Sequence, residues 1–138
     1  MNIVRKRAKE AGWKINTDND TGIVIGFRGE LGVELVYIKV CGKNVEGNVV
    51  LEFSSNGIPL PDDIGSAAIF GLQLLERNGE MLMGHWGIED VNGEKFFTVF
   101  HTMLAEDMDL QEFKGAVKSV LNEKKRLLLE MMKSKKEG

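Results

Sequence analysis

Residues 61–132, PDDIGSAAIFGLQLLERNGEMLMGHWGIEDVNGEKFFTVFHTMLAEDMDLQEFKGAVKSVLNEKKRLLLEMM, decide the fold, because they read as helix, tight β-hairpin, helix. Pro61 suits a first helical turn, where its missing N–H would be unpaired anyway. Asp62 and Asp63 sit where negative charge complements the helix dipole. Asn78-Gly79 ends the helix. On a wheel of about 100° per residue, Ile64, Ala67, Ala68, Phe70, Gly71, Leu72, Leu74 and Leu75 cover an arc of roughly 200°. That is wider than contact with one surface demands. Gly65, Ala67, Ala68 and Gly71 keep part of it small, so that another backbone can come close. Ile69 falls outside the arc, near Gln73 and Glu76.

Residues 81–89 and 94–104 read as two strands around Asp90-Val91-Asn92-Gly93. The last helix is expected over residues 109–133, with Asp109 as a candidate cap. Leu110, Phe113, Ala116, Val117, Val120, Leu121, Leu127, Leu128 and Met131 form one stripe along it, and Leu129 projects off that stripe. Lys133, Lys135 and Lys136 suit the negative helix end. Residues 133–138 are expected to fray.

Working outward, residues 2–12 read as a short amphipathic helix stopped by Gly12, with Arg5, Lys6, Arg7 and Lys9 on its wet side. Residues 17–22 (TDNDTG) form a turn cluster. Residues 23–28 read as a strand. Residues 33–41 read as a second strand, and apolar residues on both of its faces predict a central strand covered on both sides. Residues 48–54 alternate as a third, before Asn56-Gly57 and two prolines break the chain.

The chain has 138 residues, 43% hydrophobic and 28% charged, so one domain over 1–138 with one core is expected. A net charge of −3 argues against general nucleic-acid binding. The single Cys41 cannot close an internal disulfide, which makes a reducing cytoplasm the simplest home. Residues 1–12 carry no apolar h-region, and no apolar run reaches the roughly 18–20 residues of a membrane span.

No catalytic or cofactor signature stands out. His85 and His101 share a sheet face if the hairpin loop has three residues and lie on opposite faces if it has two. Neither register supplies the ligand set of a metal site. Cys41 reads as a buried structural thiol. Glu89, Asp90 and Glu94, like Glu106, Asp107 and Asp109, are explained by turn composition and capping. The glycines form neither a dinucleotide fingerprint nor a P-loop. No cofactor and no metal is therefore expected.

The order helix, three strands, helix, two strands, helix, with Leu74-Leu75-Glu76-Arg77-Asn78, the Asn92-Gly93 hairpin and the final helix, resembles the type III secretion chaperone-like fold. Within that fold it looks more like the YbjN-type sensory transduction regulator family than a dedicated secretion chaperone. The matching stretch is residues 58–132; the first half matches in strand order alone. The resemblance implies an α+β fold of order α-βββ-α-ββ-α, an antiparallel five-stranded sheet with three packed helices. It also implies homodimers and action by binding a partner rather than by catalysis.

The function expected is a non-catalytic, chaperone-like or regulatory adaptor that binds a protein or peptide client. The alternative is a regulator that senses a small ligand in an apolar pocket. Ala67, Ala68, Ile69, Gly71, Leu72 and Leu129 are the candidate residues of a homodimer or partner interface, because the core stripes do not account for them.

Overall fold

The structure, a computed structural model, describes residues 1–137, with side chains described through Ser134. In chain order it comprises α1 (Asn2–Ala11), β1 (Ile15–Asn19), β2 (Gly22–Gly29), β3 (Gly32–Lys43), β4 (Val49–Pro59), α2 (Ile64–Asn78), β5 (His85–Val91), β6 (Glu94–Leu104) and α3 (Leu110–Glu137). All strands pair antiparallel in one sheet of order β1-β2-β3-β4-β6-β5. The α+β class, the antiparallel sheet and the three helices are as expected. The sheet has six strands, not five.

The extra strand is β1. Its Thr17, Asp18 and Asn19 pair with Val24, Ile23 and Gly22, although this polar run reads as a turn. Only Asp20 and Thr21 turn the chain, and Asn19 Oδ1 closes the bend by accepting from Thr21 N (2.8 Å) and Gly22 N (3.2 Å). An edge strand needs only its backbone to join a ladder, so polar side chains suit it and discourage pairing with another chain.

The cross-strand row Ile23–Ile38–Phe53–His101 and the pairs Ser55–Val99 and Val99–Trp86 fix the covered face of the sheet. All three helices lie on that face. Phe113 of α3 anchors the core against Phe53 (ring centroids 6.1 Å apart) and Trp13 (5.6 Å), and Trp13 stands edge-on to Phe27 (5.2 Å). Phe113, Ala116, Val117, Val120 and Leu127 are buried along α3. Burying each larger one stabilises the fold by about 1.5–3 kcal/mol. Arg7 Nε donates to the Met108 carbonyl (2.7 Å), which ties α1 to the start of α3.

Several local expectations shift. Helix α2 starts at Ile64, not at Pro61; Asp63 is its cap and accepts from Ser66 N at 2.9 Å. Helix α3 has the reciprocal cap that Asp109 suggested: Asp109 Oδ1 accepts from Glu112 N (2.7 Å), and Glu112 Oε1 from Asp109 N (3.1 Å). It extends through Glu137, and Gly138 lies outside the described residues. Asn56-Gly57 is a bulge, and β4 continues to Pro59. A Cβ on Gly57 would stand 2.8 Å from the Trp86 ring and collide with the Phe97 carbonyl, so only glycine lets the chain pass there.

The expectation that residues 33–41 are covered on both faces is corrected. Val36 and Ile38 are buried under the helices, while Val33, Tyr37 and Lys39 are exposed on a face that no described element packs against. Cys41 is also exposed, not buried. A register shift between Val40 and Gly42 breaks the alternation there, at a strand end beyond the helical cover.

Candidate protein-interaction groove on α2 and β5

Helix α2 is fastened at its C-terminal end. The Asn78 amide bridges the backbone of Trp86, donating to its carbonyl (3.1 Å) and accepting from its N–H (2.6 Å). The Leu-Leu-x-x-Asn helix end thus does a specific job: it gives the first turn of β5 a side chain in place of a strand partner. One residue earlier, Arg77 pairs with Glu123 and Glu130 of α3, and Trp86 Nε1 donates to Glu123 Oε1 (2.9 Å). Desolvation pulls the Arg77 pKa down, but the hydrogen bonds it donates to Glu130 and Glu123 outweigh that and leave it raised. Glu130 is held below the usual carboxylate range, chiefly by its hydrogen bond from Arg77.

Toward its N-terminus α2 lifts off the sheet. Leu74 is its one buried residue, and Phe70 reaches Phe97 at 5.2 Å between ring centroids. Between the helix and the β5–β6 edge runs a groove of about 610 Å³, walled by Leu60, Ile64, Ala67, Ala68, Gly71, Leu72, Leu75, Trp86, Ile88 and Phe97. Its walls are apolar yet wet: Ile64 is 85% exposed, Leu75 65%, Leu72 61% and Ile88 58%. Isolated apolar residues on a surface are ordinary, but a contiguous patch is not. Gly71 helps to open the groove, since a Cβ there would fill space 3.7 Å from the Phe97 ring.

The structure brings together four of the six residues singled out in the sequence: Ala67, Ala68, Gly71 and Leu72 line the groove. Ile69 is exposed on α2 and Leu129 on α3, and neither lines the groove. Ile64 and Leu75 belong to the same wide arc and also line the groove. Ile88 was missed because an apolar residue in a strand reads as core; its register partner, Phe97, is the one that is buried.

The other candidate chemistry disperses. Asn92 (φ 54°) and Gly93 (φ 88°) form a two-residue loop, both with positive φ as a type I′ hairpin requires. His85 and His101 therefore lie on opposite faces. His85 stacks on Phe100 (5.7 Å), and burial, then the neighbouring His85, pushes the His101 pKa down. Asp90 Oδ1 accepts from Gly93 N (2.8 Å), the turn role expected of it. Among the described residues no three His, Cys, Asp or Glu side chains converge as a metal site.

Against proteins of known structure, the chain superposes on YbjN from E. coli, a candidate transcription regulator, with a TM-score of 0.67 over 97% of this chain and 92% of that one, at 11% identity. The fold is type III secretion chaperone-like. A chain of the ExsC–ExsE complex also matches, with a TM-score of 0.51, 14% identity, and coverage of 89% of this chain and 86% of that one. No family model and no curated protein matches the sequence. At such identities the likeness is one of backbone fold. No helix among the described residues is long and apolar enough to cross a membrane.

Proposed function

We propose that this chain is a non-catalytic, chaperone-like or regulatory adaptor that acts in the cytoplasm as a homodimer and binds a polypeptide client. The observation that carries the reading is the α2–β5 groove, an apolar surface left wet beside the free edge of β5. A second copy is its natural occupant. Around a two-fold axis the same patch meets itself, and Ala67, Ala68 and Gly71 let helix backbones approach while Leu72 and Leu75 fill the space between. Large exposed side chains on α2 and β5 form one contiguous apolar patch, the kind of surface that interaction sites use. The client reading is supported by fold likeness to a chain found in a two-protein complex.

The test is mass in solution. Light scattering is expected to give twice the chain mass for the wild type and the monomer mass for Leu72→Asp. A wild type that stays monomeric at high concentration sinks the dimer. Pull-down of specific polypeptides by the wild type then tests the client.

One observation favours the second reading, a ligand-sensing regulator. The groove's volume falls within the roughly 300–1,000 Å³ of small-molecule sites. A monomeric wild type whose melting temperature rises with a long-chain fatty acid would favour that reading over the dimer.

A further inference from the structure

The face of the sheet opposite the helices holds a second cavity, of about 280 Å³. Coiling of the sheet makes it. Two diagonal corners, the β1–β2 turn at Thr21 and the end of β5 at Glu89 and Val91, border the same space, with Tyr37, Ser54 and Asn56 between them. Its floor includes Val24, Tyr37 and Ser54, successive residues of one cross-strand row.

Ser54 is the informative residue. On an uncovered sheet face a serine should be wet, yet Ser54 is only 4% exposed. Among the described residues its hydroxyl has no hydrogen-bond partner, and it is not among any sealed, unsatisfied atoms. It opens into the cavity. Its sequence neighbour Ser55, on the other face, donates to the Leu35 carbonyl at 2.9 Å and is satisfied. A hydroxyl that lines a cavity and is not engaged by another protein group can bond a ligand there.

The charges around the cavity say which kind. Glu89 is half-buried and accepts a long hydrogen bond from the Thr98 hydroxyl (3.4 Å), with no cation paired to it among the described residues. Lys39, the cation at the other end, is already 3.6 Å from Glu52. The unbalanced charge is therefore negative. Val24, Val91 and the Tyr37 ring offer short apolar walls, and the ring can also face a cation. The space equals about nine water volumes at roughly 30 Å³ each, which limits the guest to a small molecule.

We propose that this cavity binds a small primary amine bearing a hydroxyl or carbonyl group, with the ammonium on Glu89 and the polar end on Ser54 and Asn56. It lies on the opposite sheet face from the α2–β5 groove, so it stands or falls independently of the dimer.

The probes are ethanolamine, glycinamide and glucosamine, each beside a neutral counterpart: ethylene glycol, acetamide and glucose. Amide chemical shifts of the wild type are followed by two-dimensional NMR, which also reports whether each variant is folded. At least one amine should shift the Ser54, Asn56 and Thr98 amides saturably, with its neutral counterpart at least tenfold weaker. Glu89→Gln should weaken that amine tenfold or more, as loss of a charged hydrogen bond does, and Ser54→Ala should weaken it by a smaller factor. No saturable shift with any amine overturns the proposal. So does equal binding of the neutral partner, or unchanged affinity in a folded Glu89→Gln.

Discussion

Helices α2 and α3 lie on the same face of one sheet and use it in different ways. The apolar stripe of α3 is narrow and regular, and Phe113, Val117, Val120 and Leu127 all reach the core. The apolar arc of α2 is broad, yet of its large residues only Leu74 is fully buried. The α3 half is closed by packing. The α2 half is tied down by polar contacts at one end, Asn78 to Trp86 and Arg77 to Glu123, and stays open at the other. A helix with more apolar surface than its sheet can cover exposes the remainder, and that remainder is where a partner gains most by docking.

This contrast can be broken at its strongest point first. Phe113→Ala should cost about 3–5 kcal/mol, because it empties the ring cluster with Trp13 and Phe53; urea unfolding measures it. A loss below about 1 kcal/mol would mean that α3 does not close the core.

Next come the polar ties of α2. Glu123→Gln keeps the shape but removes the charge that Arg77 and Trp86 Nε1 share, and should cost about 1.5–3 kcal/mol. Asn78→Ala leaves the Trp86 N–H and carbonyl without their partner and should cost about 1–3 kcal/mol. Amide exchange in the first residues of β5 should quicken in the same variant. Unchanged exchange there would remove Asn78 from the role of strand partner.

On the open side the expectation reverses. Leu72→Asp should change stability at fixed monomer state by no more than about 0.5 kcal/mol, since the residue is already wet, while halving the mass in solution. A large loss of stability would instead place Leu72 in the monomer's core.

The smallest effect is one of pH. The folded His101 pKa is pushed below its ordinary value of 6.5, so the unfolded chain binds more protons over the interval between the two. Stability from the neutral imidazole is present above about pH 6.5 and declines as pH falls toward the folded value. His101→Gln should flatten that part of a pH–stability curve. An unchanged slope would show that burial of His101 has no energetic weight.

Much of this architecture is legible in the residues. Gly12, Asn78-Gly79 and Asp109 are chemical punctuation that acts on its own neighbours, and each ends or caps the helix it announces. Asn92-Gly93 marks the hairpin turn for the same reason, but the strand register decided that the loop has two residues and that His85 and His101 lie on opposite faces. Strand β1 was illegible because edge pairing uses backbone groups that every residue has. Cys41 was misread because burial depends on how far the helices extend over β3, which no local pattern records.

The candidate groove divides the same way. The wide arc of α2 showed surplus apolar surface, and it named Ala67, Ala68, Gly71 and Leu72. Ile88 entered through tertiary structure alone, since it comes from a different element and faces the groove only when β5 lies beside α2.

By itself the sequence determined the stops at Gly12 and Asn78-Gly79, the Asp109 cap, the place of the hairpin turn and the surplus of apolar residues on α2, because these follow from contacts a few residues apart. Tertiary structure decided where that surplus is left uncovered, that a sixth strand completes the sheet, and that its bare face coils around Ser54. Those features depend on which distant elements meet and how the sheet twists, and are properties of the assembled backbone.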